Sequence, residues 1–224
     1  MKVRFGRFVI FALVAFVFVG TAPAEAGDWL VRLRAINIDP DSSSSAVRAN
    51  GSDIGGSGVS VGDSTVPELD ITYMPNEKIG FELILGTAEH DVFGEGSLAA
   101  LGKIADVDVL PPTLLFQYHF APGGTVRPYV GVGVNFTLFF DETATSGFET
   151  VAGGASNVDL DESIGLAGQI GVDIGSGDWF FNIDAKYIQI DTTATITTPG
   201  ALGTVDVDVD INPIVLGVGF GRRF

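Results

Sequence analysis

From residue 28 onward, apolar side chains recur at every second position in eight separate stretches. These run over 28–38, 66–74, 78–88, 111–120, 127–139, 162–174, 178–191 and 211–224. A period of two predicts β-strands that each carry one apolar face. Every stretch comes close to or exceeds the roughly 9–11 residues that a tilted transmembrane strand needs. The connections sort by length. Long ones (39–65, 89–110, 140–161 and 192–210) follow the odd strands, and short ones (75–77, 121–126 and 175–177) follow the even strands. Long loops on one side and tight turns on the other mark an outer-membrane barrel, whereas a soluble β-sandwich need not sort its connections. Backbone polar groups in lipid must all be paired, and a closed antiparallel sheet achieves that without spanning helices. The predicted fold is therefore all-β: an eight-stranded antiparallel transmembrane barrel with long extracellular loops and short periplasmic turns. In the first long loop, Ser42–Ser45 and the Gly-Ser stretch at 55–58 read as solvated and flexible. Residues 97–104 read as one short helix capped by Ser97.

Strand parity assigns the two faces. Trp29, Leu33, Tyr73, Phe81, Phe116, Val132, Leu166, Ile170, Trp179 and Phe220 are among the residues that share the lipid-like face. Aromatics gather at the short-turn ends, where an interfacial girdle belongs. The opposite face is layered. Arg32, Arg34, Asp70, Glu82, Gln117, His119, Gln169, Asp173, Asn182, Asp184 and Lys186 are assigned to the lower and middle lumen. Ile36, Ile38, Ile84, Phe139, Ile188 and Ile190 are assigned to the upper lumen. Buried charges must pair, and Arg32 and Arg34 against Asp70, Glu82 and Asp184 would do so. An eight-stranded barrel is just wide enough to be filled by side chains or to hold one small ligand. An apolar layer above a charged floor suits a greasy ligand arriving from outside, while an ion channel would be polar along its whole height. A sideways exit into lipid would spare such a solute the charged floor. Pro67, Pro111 and Pro112, which cannot donate to a strand ladder, place that exit where strands two, three and four meet.

The first 26 residues follow another pattern: Lys2, Arg4 and Arg7, an apolar run from Phe8 to Val19, then Ala24-Glu25-Ala26. That order predicts a secretory signal peptide over 1–26, cleaved after Ala26, leaving a single barrel domain over 27–224. The run is too short for a spanning helix. The chain's formal charge of −16 argues against nucleic acid as a partner. Its lack of cysteine excludes thiolate metal sites and cysteine nucleophiles. A mean hydropathy of +0.37 is high for a water-soluble domain this acidic.

Several chain segments, in order, resemble one family. They are 27–40 (GDWLVRLRAINIDP), 67–74 (PELDITYM), 111–120 (PPTLLFQYHF), 127–135 (RPYVGVGVN) and the ending from Ile211-Asn212-Pro213 to Arg223-Phe224. These are similar to the outer-membrane protein W (OmpW) family. The resemblance implies an eight-stranded barrel in the outer membrane of Gram-negative bacteria that passes small hydrophobic molecules. Some family members take up alkanes, and some serve as bacteriocin receptors. The terminal aromatic Phe224 has the place of the signal read by the barrel assembly machinery.

Three functions are weighed. The first is a narrow channel for passive uptake of small hydrophobic solutes with lateral release into outer-membrane lipid. The second is a structural or receptor barrel with a filled lumen and functional loops. The third is a barrel enzyme, for which His90, Asp91 and Ser97 are the only nearby set, without a G-x-S-x-G elbow. Exposed loop residues explain that set better, so no enzyme, catalytic residue, metal or cofactor is expected. Asp206, Asp208 and Asp210 share one strand face and suit a hard cation, but a solvated strand above the membrane explains them more simply. His119 lacks a second histidine and reads as a hydrogen-bonded lumen residue.

Overall fold

A computed structural model describes residues 27–224. The expected signal peptide lies outside the described residues. The eight predicted strands form one closed antiparallel barrel: β1 (Asp28–Asp39), β2 (Ser64–Met74), β3 (Ile79–Gly86), β4 (Thr113–His119), β5 (Val126–Ala144), β6 (Ser163–Ile174), β7 (Trp179–Ile188) and β8 (Ile214–Arg223). The order around the wall is β1-β2-β3-β4-β5-β6-β7-β8, and β8 pairs back onto β1 from Leu30↔Arg223 to Asp39↔Ile214. Phe224 completes that seam. Its N–H donates to the Trp29 carbonyl at 2.8 Å, and the Trp29 N–H donates back at 3.0 Å.

Alternation sorts the side chains as the pattern requires. Outward residues form a broad apolar band that includes Leu33, Phe116, Val132 (65% exposed), Ile164 (77% exposed), Leu166 and Phe220. Such a surface is stable only against lipid. Aromatic pairs sit at its short-turn edge, with Trp29 5.0 Å from Tyr73 and Tyr118 5.1 Å from Phe120, ring centre to ring centre. Inward residues Arg32, Asp70, Glu82, Gln117 and Asn182 are fully buried.

The long connections are ordered, which corrects the flexible reading of the first loop. β3 and β4 are prolonged above the barrel by strands Ala88–Gly96 and Lys103–Leu110, the latter paired with the top of β5. Strand Ser57–Val61 adds to this extension. A second sheet joins Asn157–Leu160, Asp191–Thr197 and Thr204–Asp210, and Ser44 pairs with Val209 at its edge. The serines serve as backbone acceptors: the hydroxyls of Ser42, Ser44 and Ser57 take the N–H groups of Val61, Val59 and Val47 at 2.8–3.1 Å. Between these layers lies a separate apolar core that includes Val47, Val59, Ile104, Phe148, Val158 and Val207. Residues 97–104 form only a single 3-10 turn, Ala99–Leu101. Leu98, not Ser97, is at its cap position, and Lys103 already belongs to a strand. The α-helix lies elsewhere, at Ser146–Ala152, where the Thr145 hydroxyl accepts the Phe148 N–H.

Candidate functional site

The lumen has two layers. The lower one is a closed polar network. On β1, Arg32 bonds Glu82 of β3 and Asp173 of β6, both at 2.9 Å. Arg34, two residues on, reaches Asp70 at 2.6 Å, Glu68 at 3.0 Å and Asp184 at 3.1 Å. Lys186 of β7 meets Glu68 at 2.5 Å. Neutral amides knit the remainder: Gln117 and Gln169 both donate to Glu82 (2.8 and 2.9 Å), and Gln169 also donates to Asp184 at 2.7 Å. Asn182 donates to Asp173 at 2.7 Å and to the Tyr129 hydroxyl at 2.9 Å. His119 stacks on Tyr129 at 5.2 Å and shares a 3.1 Å bond with Gln117. All of these residues are buried. Side chains therefore fill the lower lumen, as the narrow bore of eight strands favours. Sequence reasoning missed Glu68 and Tyr129. Both have the inward parity of Asp70 and Arg127 on their own strands, and that parity was the available signal.

Above the network the chemistry changes abruptly. Ile36, Ile38, Ile84, Phe139, Ile188 and Ile190, from four of the barrel strands and the connection after β7, come together around one cavity. Its empty volume, counted into the open mouth, is about 850 Å³. Val61, Val92, Val107 and Leu160 of the extracellular strands continue the apolar wall upward, and Glu68 and Thr113 lie at its lower edge.

The wall beside the cavity is broken on one side. The β3–β4 ladder ends at Ile84↔Thr113 and resumes only at Ala88↔Val109 in the extension. Pro111 and Pro112 occupy the interval, opposite Leu85–Thr87, and have no N–H to donate. On the other flank of β3 the ladder with β2 ends at Glu68↔Gly86 and resumes at Val61↔Val92, one residue out of register. Gly86, Thr87 and Pro111 line the cavity directly. Pro67 lies on the exposed face of β2 one residue above the end of that ladder.

The enzyme-like set is dispersed. The Nδ1 of His90 lies 2.8 Å from the Gly62 carbonyl, and Asp91 pairs with Lys103 at 2.6 Å. The Ser97 N–H goes to the Gly56 carbonyl. The hydrogen bonds that Lys103 donates to Asp106 and Asp91 hold its ammonium well above its ordinary pKa. Two of the three aspartates of Thr204–Asp210 are engaged by neighbours: Asp208 accepts from Arg48 and Thr193, and Asp206 accepts from Thr195.

The sequence matches the OmpW family over residues 25–224. It is 37% identical over 222 residues to Outer membrane protein W of Vibrio cholerae, covering 96% of this chain and 98% of that one. It is 30% identical to Outer membrane protein AlkL of Ectopseudomonas oleovorans, covering 91% and 85%. In three dimensions it resembles the crystal structure of the outer membrane protein OprG from Pseudomonas aeruginosa, with a TM-score of 0.83 and 38% identity over 90% of this chain and 98% of that one. A barrel with a lipid-facing band, a sealed charged floor and relatives matched along almost its whole length is an outer-membrane protein, and the chain belongs to the OmpW family.

Proposed function

We propose that the barrel is a passive route for small hydrophobic molecules, which gather in the apolar cavity from outside and leave sideways into outer-membrane lipid. The observation that carries this reading is the apolar cavity standing directly on a sealed network of buried ion pairs. A solute that enters gains about 25 cal/mol per Å² of apolar surface removed from water. Continuing downward would mean opening the pairs of Arg32 and Arg34 in a confined space, at several kcal/mol each. The interval at Leu85–Thr87 and Pro111-Pro112 offers a different way out. No ladder pair joins the two strands across that interval, and lipid lies beyond the wall. Ile36, Ile38, Ile84, Phe139, Ile188 and Ile190 are the lining of this route. Arg32, Arg34, Asp70, Glu82, Gln117, His119, Asp173, Asp184 and Lys186 are its closed floor. The filled lower lumen taken alone would suit a structural or receptor barrel; the cavity above it favours transport.

The test is uptake of an apolar solute by liposomes carrying the barrel. Ile84→Asp or Ile188→Asp sets an unpaired carboxylate on the route. Each is expected to reduce apolar uptake about tenfold or more in a barrel that still shows heat-modifiable migration. Uptake of a polar solute should depend little on either position. Normal apolar uptake by both folded variants would remove the cavity from the route.

A further inference from the structure

We propose that His90 presents a hydrogen-bond acceptor to the cavity and so favours, among hydrophobic solutes, those that carry an O–H or N–H donor. The inference rests on the reading of the cavity as a solute site.

The polar side chains of the cavity wall are few: Glu68, Thr87, His90 and Thr113. Glu68 is engaged by Arg34 and Lys186. The Thr113 hydroxyl donates to the Pro111 carbonyl at 3.0 Å and accepts from Asn135 at 2.9 Å. Thr87 has a hydroxyl, which offers donor and acceptor alike and so discriminates little. His90 differs. Its Nδ1 lies 2.8 Å from the Gly62 carbonyl, and a carbonyl only accepts, so Nδ1 carries the hydrogen. In the neutral ring the lone pair is then on Nε2, which has no hydrogen-bond partner among the described residues. Gly62 is itself held, its N–H donating to the Asp91 carbonyl at 2.8 Å, so the ring is anchored between two paired strands. His90 is 7% exposed, and burial holds its pKa below the ordinary histidine value, opposed only in part by the Gly62 bond and the charges of Asp63 and Asp91. The ring is thus neutral at neutral pH, an acceptor rather than a cation.

A donor that leaves water for an apolar cavity loses its hydrogen bonds, and the loss is large unless the site returns one. His90 belongs to the cavity wall, and with Nδ1 committed to Gly62 its Nε2 is the ring atom left to return it. A solute without a donor gains only the apolar contact and leaves Nε2 unmet. Discrimination by one such bond amounts to about three- to tenfold in affinity.

The experiment uses the full barrel in lipid nanodiscs with two probes of nearly equal size, 1-naphthol and 1-methylnaphthalene. Binding is measured together with the ¹⁵N spectrum of the imidazoles. The chain has two histidines, so the His90 signals are identified by their loss in His90→Phe. The Nε2 resonance of His90 is expected to move upfield with 1-naphthol and to stay in place with 1-methylnaphthalene. In His90→Phe the ratio of naphthol to methylnaphthalene affinity should fall about three- to tenfold. His90→Gln, which keeps an acceptor, should restore part of that ratio and guards against a folding effect in the Phe variant. If both probes bind but the Nε2 resonance and the affinity ratio are indifferent to the hydroxyl, the inference is wrong and the apolar route stands. If neither probe binds the wild-type barrel, the solute-site reading falls and takes this one with it.

Discussion

Arg34 engages three carboxylates from two different strands, Glu68 and Asp70 on β2 and Asp184 on β7, all in a part of the lumen closed to solvent. Its guanidinium offers donors in a fixed fork, which a lysine ammonium cannot reproduce. Arg34→Ala leaves those carboxylates facing one another with Lys186 as the remaining nearby cation. The expected cost is about 3–5 kcal/mol, read as a lower urea midpoint for the barrel in detergent. An unchanged midpoint would mean that water reaches the site and replaces the lost donors. Parity alone put Arg34 among carboxylates. Which ones it meets depended on strand register, and Glu68, missing from the expected partners, turned out to be shared between Arg34 and Lys186.

At the scale of elements, the β1–β8 seam and the gap beside β3 make opposite demands. The seam is tight: a Cβ on Gly219 would lie 2.1 Å from the Leu33 carbonyl oxygen of the neighbouring strand. Gly219→Ala should therefore push β1 and β8 apart, destabilising the barrel by about 1–3 kcal/mol and lowering its heat-modifiable fraction. We also propose that Phe224 is read during assembly by the barrel assembly machinery. Its backbone pairs with Trp29 in both directions, and its ring lies 4.8 Å from the Arg222 guanidinium. Deleting Phe224 should lower the yield of inserted barrel more than a substitution in a long connection does, as judged from outer-membrane fractions. The gap, by contrast, depends on missing donors. Replacing Pro111 and Pro112 together by alanine restores two backbone N–H groups in the interval; the one at 112 faces β5, where the Pro112 carbonyl accepts the Phe136 N–H at 3.0 Å, and the one at 111 is left for Leu85–Thr87. If solutes leave there, uptake of an apolar solute should slow severalfold while barrel stability holds or rises. Unchanged uptake would move the exit elsewhere on the wall.

Across the whole molecule, charge is divided by height. The four long connections hold most of the acidic residues, and their only lysine or arginine residues are Arg48 and Lys103. Arg127, Arg222 and Arg223 are at the short-turn end. Any solute that approaches the cavity from outside crosses a strongly negative field, which concentrates cations and repels anions. A hydrophobic amine should therefore be taken up faster than a carboxylate of the same chain length at low salt. The ratio should shrink toward one near 1 M salt, where the Debye length is about 3 Å. A ratio that ignores salt would show that the field does not reach the route.

The amino-acid sequence determined the eight strands, the sorting of their connections and the lipid and lumen faces. All of these follow from a period of two and from the demand that no backbone group be left unpaired in lipid. Parity also determined that apolar residues would stand above charged ones, because inward positions are simply every second residue. The tertiary structure alone decided how far the strands continue. Ser42–Ser45 and residues 89–110 look like loop in isolation, and they are ordered because neighbours from distant parts of the chain supply the backbone partners they need. It also decided the broken ladder, which needs β2, β3, β4 and the extensions above them to be placed side by side before a missing pair can be seen. The free lone pair of His90 is of the same kind. Nothing local to His90-Asp91 predicts it, because the carbonyl that settles which ring nitrogen carries the hydrogen comes from Gly62, 28 residues earlier in the chain.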